Sequence, residues 1–589
     1  MTASMMPVMV TTVDIDPDDP DRIAVGCDFR LKDLVKVLPG SRWNPTTRRW
    51  TVPLTWPSCL ALRAQFGSAL SIGDPLKMWA SGAGDIKKRL RAMRNDLVSD
   101  PSEEFPVPGL FGYQEVGALA IYLAEQYLLF DATGTGKSRT ALSGLYLLQK
   151  DDDDIFPLLI VAPKSMLQTW ARTEVPEIFP HATVSVVAGT PKQVETALTP
   201  GHDVYVTSYD MLRRHSRLSP FGSVTLTDKE KQPGLFQNIA FRSVIADEAH
   251  RAKNAQAKQT RALWYVGHRA KYRIALTGTP IQDTPEDMWS LLHFVAPDEY
   301  PSKTAYVDRF LRVDYNIWGG REILGLNPRT EEEFRANLEA RFRRITKDVA
   351  LPFLPPKVFE IRWVEMPPPL RRAYRTMVSD MVAKLSDGSV LEVDSVLARA
   401  TRLTQLANSS GEIEIDADGN EIFRMALPSP KIDQFMEDID SGDYEGQKVA
   451  VYSDSRQLLE LLSQTMTKKG LTYVMIHGDV TGVDRQEAIE TFQAGDVDFI
   501  LLTRAGGEGI TLTAASVMVR LMRSWSYIAH TQSEDRVHRI GSEIHSSITY
   551  VDYVVSDTIE EGQLVRLSGK GERAQEVLRD ADLLDLIKS

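Results

Sequence analysis

The sequence predicts an α/β protein with two parallel-sheet lobes joined by a helical brace and preceded by a small α/β module. Two observations predict it. Short, strongly apolar segments alternate with helical stretches twice, over residues 101–300 and again over 428–560. Segments this apolar suit strands of a parallel sheet buried on both faces. Between them, residues 301–427 are more polar and partly helical. The length of 589 residues also allows about four units at roughly 150 residues each.

Residues 1–75 read as the separate module. Val8–Ile15 and Arg22–Cys27 alternate like strands, and Leu31–Leu38 has helical spacing stopped by Pro39-Gly40. RWNPTTRRWTVP then places two aromatic strand ends around an Asn-Pro-Thr-Thr turn. Residues 76–100 read as a basic linker carrying Lys77, Lys87, Lys88, Arg89, Arg91 and Arg94. The first lobe's strands are expected at Tyr127–Phe130, Leu158–Ala162, Asp203–Val206, Ser243–Ala246 and Tyr272–Leu276. A hairpin turn is expected at Asp416–Asn420. The second lobe's strands are expected at Val449–Tyr452, Tyr473–Ile476, Phe499–Thr503, Val517–Leu521 and Ile548–Val555, with a helical tail over 561–589.

Composition narrows the function classes. No apolar run is long enough to span a membrane. The segment MTASMMPVMVTTVDID lacks the basic start of a secretory leader. Cys27 and Cys59 are the only cysteines, which argues for a reducing cytoplasm and against a metal cluster. The net charge of −12 is weak evidence against nucleic-acid binding, since a local cleft can grip phosphates whatever the total. The run Asp151–Asp154 reads as a solvated loop.

DATGTGKS at Asp131–Ser138 follows an apolar strand and precedes a helical run, the context of a phosphate-binding loop. Gly134 and Gly136 let backbone N–H groups turn toward phosphates, with Thr135 between them. Lys137 can reach the β- and γ-phosphates, and Ser138 can hold Mg²⁺; Thr140 lies on the same first turn. Asp131 stands where the general pattern has its first glycine. DEAH at Asp247–His250 ends the strand SVIA. Asp247 is placed to hold the water shell of Mg²⁺, and Glu248 to orient or deprotonate an attacking water. Gln114 offers an amide to the adenine edge, a solvent-facing glutamine being the alternative. Thr277, Gly278 and Thr279, in TGTP, could relay the phosphate state onward.

QSEDRVHRIG at Gln532–Gly541 sets Arg536 and Arg539 three apart, on one face if helical. Two such guanidiniums facing a phosphate loop across a cleft can stabilise transition-state charge. TRAGGEGITLTAA at Thr503–Ala515 allows close backbone approach at its glycines, with Thr503 and Arg504 able to touch a DNA phosphate.

Taken in order, GYQ, DATGTGKS, VAPKSMLQTW, VTSYDML, DEAHRAKN, LTGTPIQD, RRITKDV with LPPK, VYSDSRQLLELL, IHGD, TRAGGEGITLTAA and QSEDRVHRIG resemble the Swi/Snf-type ATPases of helicase superfamily two. The resemblance covers roughly residues 110–560. EDRVHRIG and the compact layout are most similar to the annealing-helicase branch, and RWNPTTRRWTVP to its small DNA-structure-reading domain. The resemblance implies two RecA-like lobes, ATP as substrate, Mg²⁺ as cofactor and tracking along double-stranded or branched DNA. It implies DNA contacts at Lys164, Thr207, Ser208, Ser455, Thr503, Arg504 and Trp525, and coupling roles for Gly507 and Gln532. Arg48 and Arg49, flanked by Trp43 and Trp50, add a DNA-contact candidate in the module; the alternative is that both tryptophans are core.

Departures from the family pattern are Ala132, Thr133, Asp283, Met522, where an acid is usual, and Ser542. Without long insertions or chromatin-reading domains, a bacterial or bacteriophage monomer in the cytoplasm is expected, beside replication or repair proteins and away from membranes. A strand-separating helicase and a non-catalytic scaffold are the competing readings.

Overall fold

The computed structural model describes residues 10–38, 40–95, 100–151, 154–222, 225–278, 285–315, 321–338, 340–386, 393–415, 421–480, 482–507, 509–525 and 527–564. Thr279, Asp283, Asp152 and Asp153 of the Asp151–Asp154 run, the turn Asp416–Asn420 and the tail beyond 564 lie outside the described residues. Among the described residues the chain divides into two compact units, the first comprising residues up to Ala132 and Gly136–Ala350, the second Thr133–Thr135 and the chain from Leu351.

The first unit opens with the module. Strands β1 (Thr11–Asp16), β2 (Asp19–Gly26), β3 (Arg42–Asn44), β4 (Arg49–Pro53) and β5 (Leu70–Ile72) form one sheet in the order β3-β4-β2-β1-β5. The β3–β4 turn forms because the Asn44 side chain accepts from the N–H groups of Thr46 and Thr47, at 3.0 and 3.3 Å. Helix α1 (Trp56–Phe66) closes the small core of Val13, Ile23, Val25, Val52, Leu62 and Phe66. The segment read as a basic linker is instead a continuous helix, α2 (Asp74–Asn95). Its apolar residues are too sparse for one stripe because they serve two cores. Leu76 is buried in the module, and Leu90 in the next domain.

That domain is built on helices α3 (Gly112–Ala124) and α4 (Lys137–Lys150) and on a sheet of seven strands. The strands are β6 (Gln126–Leu129), β7 (Leu158–Ala162), β8 (Val184–Val187), β9 (Val204–Ser208), β10 (Ser243–Asp247), β11 (Tyr272–Leu276) and β14 (Phe342–Arg343), a hairpin of β12 (Leu311–Tyr315) and β13 (Arg321–Leu326) standing apart. Their order is β14-β6-β11-β10-β7-β9-β8, and every pairing is parallel. Apolar residues cover both faces of the sheet, as the apolar strand segments require.

The second unit has a six-stranded parallel sheet in the order β15-β22-β21-β18-β20-β19. The strands are β15 (Lys357–Val364), β18 (Val449–Ser453), β19 (Tyr473–Ile476), β20 (Phe499–Thr503), β21 (Val517–Met522) and β22 (Ile548–Val555), a hairpin of β16 (Ser410–Ile415) and β17 (Glu421–Ala426) again standing apart. Residues 301–427, read as one brace, divide between the units. Two long helices, Pro368–Ser386 and Val393–Asn408, make the second part helical, while β14 joins the first sheet and β15 the second.

Candidate active site

Ligands of parallel α/β sheets bind beyond the carboxyl ends of the strands. The candidate residues of the first unit gather there. The phosphate loop follows β6, Thr277 follows β11, Asp247 ends β10, Lys164 follows β7 and Ser208 ends β9. These five strands are consecutive neighbours in the sheet, so motifs as far apart in sequence as Asp131 and Thr277 come to one edge.

The loop has the backbone expected of it. Gly134 and Gly136 adopt φ of +79° and +75°, a region open to glycine at little steric cost. Gly136 also leaves no room for a side chain, since an added Cβ would sit 2.3 Å from the Gln114 amide nitrogen. Gln114 is only 2% exposed and its Oε1 accepts from the Phe111 N–H at 3.0 Å, which excludes the solvent-facing alternative. The amide thus lies against the loop rather than in water. Lys137 starts α4, and its Nζ donates to the Ala132 carbonyl at 3.0 Å, folded over the loop. Ser138 is half-buried on the same turn. Thr135 is buried, and Thr140 faces inward, its hydroxyl donating to the Gly136 carbonyl at 3.2 Å.

Asp247 is buried and held on two sides. Trp170 Nε1 donates to its Oδ2 at 2.9 Å, and Tyr209 Oη donates to its backbone carbonyl at 2.7 Å. Burial, then the neighbouring Glu248 carboxylate, pushes the Asp247 carboxyl up to about 6. Glu248 takes the left-handed backbone conformation, φ 47°, which turns the chain sharply just after the strand. His250 then meets both neighbouring motifs: its Nδ1 lies 3.1 Å from Thr277 Oγ1 and 3.2 Å from Glu248 Oε2. Gly278 follows directly; Thr279 is outside the described residues.

Sequence reasoning did not find Arg343. On β14 and 1% exposed, it donates through Nε to Asp131 Oδ1 at 3.3 Å, while one terminal nitrogen meets Asp131 Oδ2 and the other the Tyr113 carbonyl. One guanidinium therefore ties the start of the phosphate loop to the segment that carries Gln114. The unexpected Asp131 is explained as its partner. A charged pair inside RFRRITKDV and FDATG is a signal only once β14 is known to pair with β6.

The expected DNA contacts of the first unit differ in access. Lys164 is exposed. Ser208 caps the following helix, accepting from Met211 N–H at 3.3 Å, and Thr207 is buried with its hydroxyl on the Val187 carbonyl at 3.3 Å. In the module, Arg48 and Arg49 are exposed, Arg48 at φ 51°. Trp43 is 50% exposed and meets the half-buried Trp50 edge to face, at a centroid distance of 5.6 Å, so Trp43 is not a core residue.

In the second unit, Ser455 follows β18, Thr503 and Arg504 straddle the end of β20, and Trp525 follows β21. Ser455 caps its helix through Leu458 N–H at 3.3 Å, and Thr503 Oγ1 accepts from Gly506 N–H at 3.2 Å. Arg504 and Trp525 are exposed. Arg504, Gly507, Gln532 and Arg536 line one cavity with Tyr452, Leu502, Met518, Ala529 and Ser533, so four of the expected residues converge.

The expected helical face for Arg536 and Arg539 is corrected. The helix α5 (Tyr527–Glu534) ends before them, and both lie in turns. The Arg536 carbonyl accepts from Leu512 N–H at 2.9 Å, while the core draws in Val537 and His538, His538 Nε2 reaching the Pro355 carbonyl at 2.8 Å. A second buried cluster fixes this segment. Arg520 on β21, 1% exposed, meets Asp552 with two donors at 2.7 and 3.0 Å and Glu534 with a third at 2.8 Å. Lys357 Nζ meets the other Glu534 oxygen at 2.9 Å. Burial works against the Glu534 anion, and Lys357 and Arg520 overcome it, holding the carboxyl down at about 2. Met522, where an acid was expected, stands beside this cluster on β21.

No ≥3-residue group of His, Cys, Asp and Glu suited to a metal, and no helix long and apolar enough to cross a membrane, occurs among the described residues.

Comparison with known proteins fits this layout. The profile of the SNF2-related domain matches residues 113–412, and that of the helicase conserved C-terminal domain matches 431–541. Protein CHROMATIN REMODELING 5 of Arabidopsis thaliana is 27% identical over 75% of this chain and 25% of its own length. The probable chromatin-remodeling complex ATPase chain of Oryza sativa is 28% identical over 74% of this chain and 38% of its own. The chain thus spans well under half the length of these relatives. A solved Sulfolobus solfataricus SWI2/SNF2 ATPase core in complex with dsDNA covers 83% of this chain and 97% of that one, at 22% identity and a TM-score of 0.36. With just over half of its residues matched by that one profile, the chain belongs to the SNF2-related domain family.

Proposed function

We propose that this chain is an ATP-hydrolysing motor that tracks along double-stranded DNA and remodels or reanneals branched DNA. One observation carries the nucleotide half of the reading: a phosphate loop and the Asp247–Glu248 pair stand at the carboxyl ends of β6 and β10, two strands of one parallel sheet with only β11 between them. ATP fits the loop, with Gln114 held at its flank. Lys137 leaves the Ala132 carbonyl to meet the phosphates, and Glu248 orients or deprotonates the attacking water. The Ser138 hydroxyl and the buried Asp247 carboxylate are a donor set that would suit Mg²⁺, which when bound would supply charge neutralisation at the phosphates. The name of the rice relative, an ATPase chain, agrees with this chemistry.

The DNA half rests on family membership and on exposed cations and rings. Lys164, Arg504 and Trp525 lie by strand ends, and Trp43 with Arg48 and Arg49 lies in the module. A half-exposed tryptophan beside two arginines suits a junction, where ring stacking on an unpaired base is worth ~1–3 kcal/mol. The test is phosphate release by the full chain with plain duplex, forked DNA and no DNA. Stimulation by duplex supports the motor. On a blunt labelled fork, strand displacement would replace it with a strand-separating helicase. Arg48→Ala with Arg49→Ala lowers affinity for forks more than for plain duplex; an equal loss on both would reduce the module to a general electrostatic anchor.

A further inference from the structure

Helix α2 is the strongest unabsorbed feature of the first unit. Over residues 86–95 it carries Lys87, Lys88, Arg89, Arg91 and Arg94 and no acid, in a chain whose net charge is −12. It is also fixed at both ends. Leu76 belongs to the module core and Leu90, 4% exposed, to the core of the parallel-sheet domain. The Lys87 ammonium lies 5.4 Å from the Trp56 ring centroid, and the Arg94 guanidinium stacks 4.7 Å over Phe342 of β14. Lys88, Arg89 and Arg91 are exposed on this braced helix. Asp85 meets Lys88 at 3.5 Å, but both are largely exposed, and a solvent-screened pair of that kind is too weak to compete with a phosphate.

Its position is informative. Phe342 ties the basic end of α2 to the β14 edge of the sheet, whereas Lys164 and Ser208 follow β7 and β9. Sheet order sets β14 five strands from β9, or ~24 Å at the usual spacing. Along a duplex that is about seven base pairs. We propose that Lys88, Arg89 and Arg91 form a second duplex-phosphate contact, which grips a flanking stretch or arm of DNA beyond the stretch held at the strand ends. This rests on the DNA reading above.

The test is the full chain with Lys88→Glu, Arg89→Glu and Arg91→Glu together, and the milder set to Gln, with circular dichroism as the folding control. Affinity is measured by anisotropy across salt for duplexes of about 10 and about 30 base pairs. On the long duplex, removing three phosphate contacts lowers the slope of log affinity against log salt by about 2.7, so the loss between about 50 and 200 mM salt shrinks about fortyfold. The short duplex shows little change, and the Gln set shifts in the same direction. Wild-type slope on both lengths, or an equal loss on both, overturns the proposal. If the unaltered chain binds neither duplex, it is the DNA reading that fails instead.

Discussion

His250 and Thr277 touch. The imidazole Nδ1 lies 3.1 Å from the threonine hydroxyl, so the last residue of DEAH meets the first of TGTP, and the same nitrogen stands 3.2 Å from Glu248. The Glu248 carboxylate, proposed to act on the attacking water, and the next strand end are therefore joined by one ring. A change at either can reach the other without passing through bulk solvent. His250→Ala removes the link. DNA-stimulated phosphate release is expected to fall about tenfold or more, ~1.4 kcal/mol, with the KM for ATP changed far less. A rise in KM with intact stimulation would make His250 a nucleotide contact and not a link.

We propose that Arg536 and Arg539 stabilise charge in phosphoryl transfer, where one arginine is typically worth ~10³–10⁵ in rate. Alanine at either position lowers turnover strongly and leaves ATP affinity, read by equilibrium nucleotide binding, much less changed. Arg520→Lys tests the cluster behind them. It keeps the charge but loses the two-pronged grip on Asp552, so turnover falls by less than with Arg536→Ala. Unchanged turnover in Arg520→Lys would show that the buried cluster does not position Arg536.

The Asp131–Arg343 pair is 1% exposed on both sides, so removing one partner strands a charge. Arg343→Met is expected to cost about 3–5 kcal/mol in chemical denaturation of the first unit. Asp131→Asn added to Arg343→Met recovers part of that loss. Additive losses in the double variant would contradict the pairing.

Acid stability follows from two histidines packed ring to ring in the first unit. Burial holds His268 down to about 3, with His293 and Arg273 adding to it, and burial holds His293 down to about 4. The unfolded chain takes up protons near 6.5 while the folded one does not. Stability is therefore full above about pH 6.5 and falls between there and about pH 4, by up to roughly 3 kcal/mol per pH unit for the two together. His268→Gln flattens that slope when denaturant midpoints are followed against pH. A midpoint constant from pH 7 to 5 would contradict it.

What could be read in the sequence was what is local in it. The phosphate loop, DEAH and most interior strands are contiguous runs in which residue type and spacing declare themselves, and each lies within two or three residues of its expected place. What escaped depends on distant partners. β14 has two residues and exists only through pairing with β6. β15 alternates charged and apolar residues at a sheet edge. Arg520 and Asp552 look out of place in VMVRLM and ITYVDYVV until β21 and β22 set them opposite each other. Arg536 reads as helical because three-residue spacing suits a helix, yet the contact of its carbonyl with Leu512 is invisible along the chain.

Steady-state ATP turnover of the full chain, with and without duplex DNA, beside the Glu248→Gln and Lys137→Ala variants, puts the motor itself to trial. Duplex is expected to raise turnover about tenfold or more, Glu248→Gln to bind ATP with turnover abolished, and Lys137→Ala to lose most nucleotide binding. Turnover indifferent to DNA, or near-normal turnover in Glu248→Gln, would contradict the account.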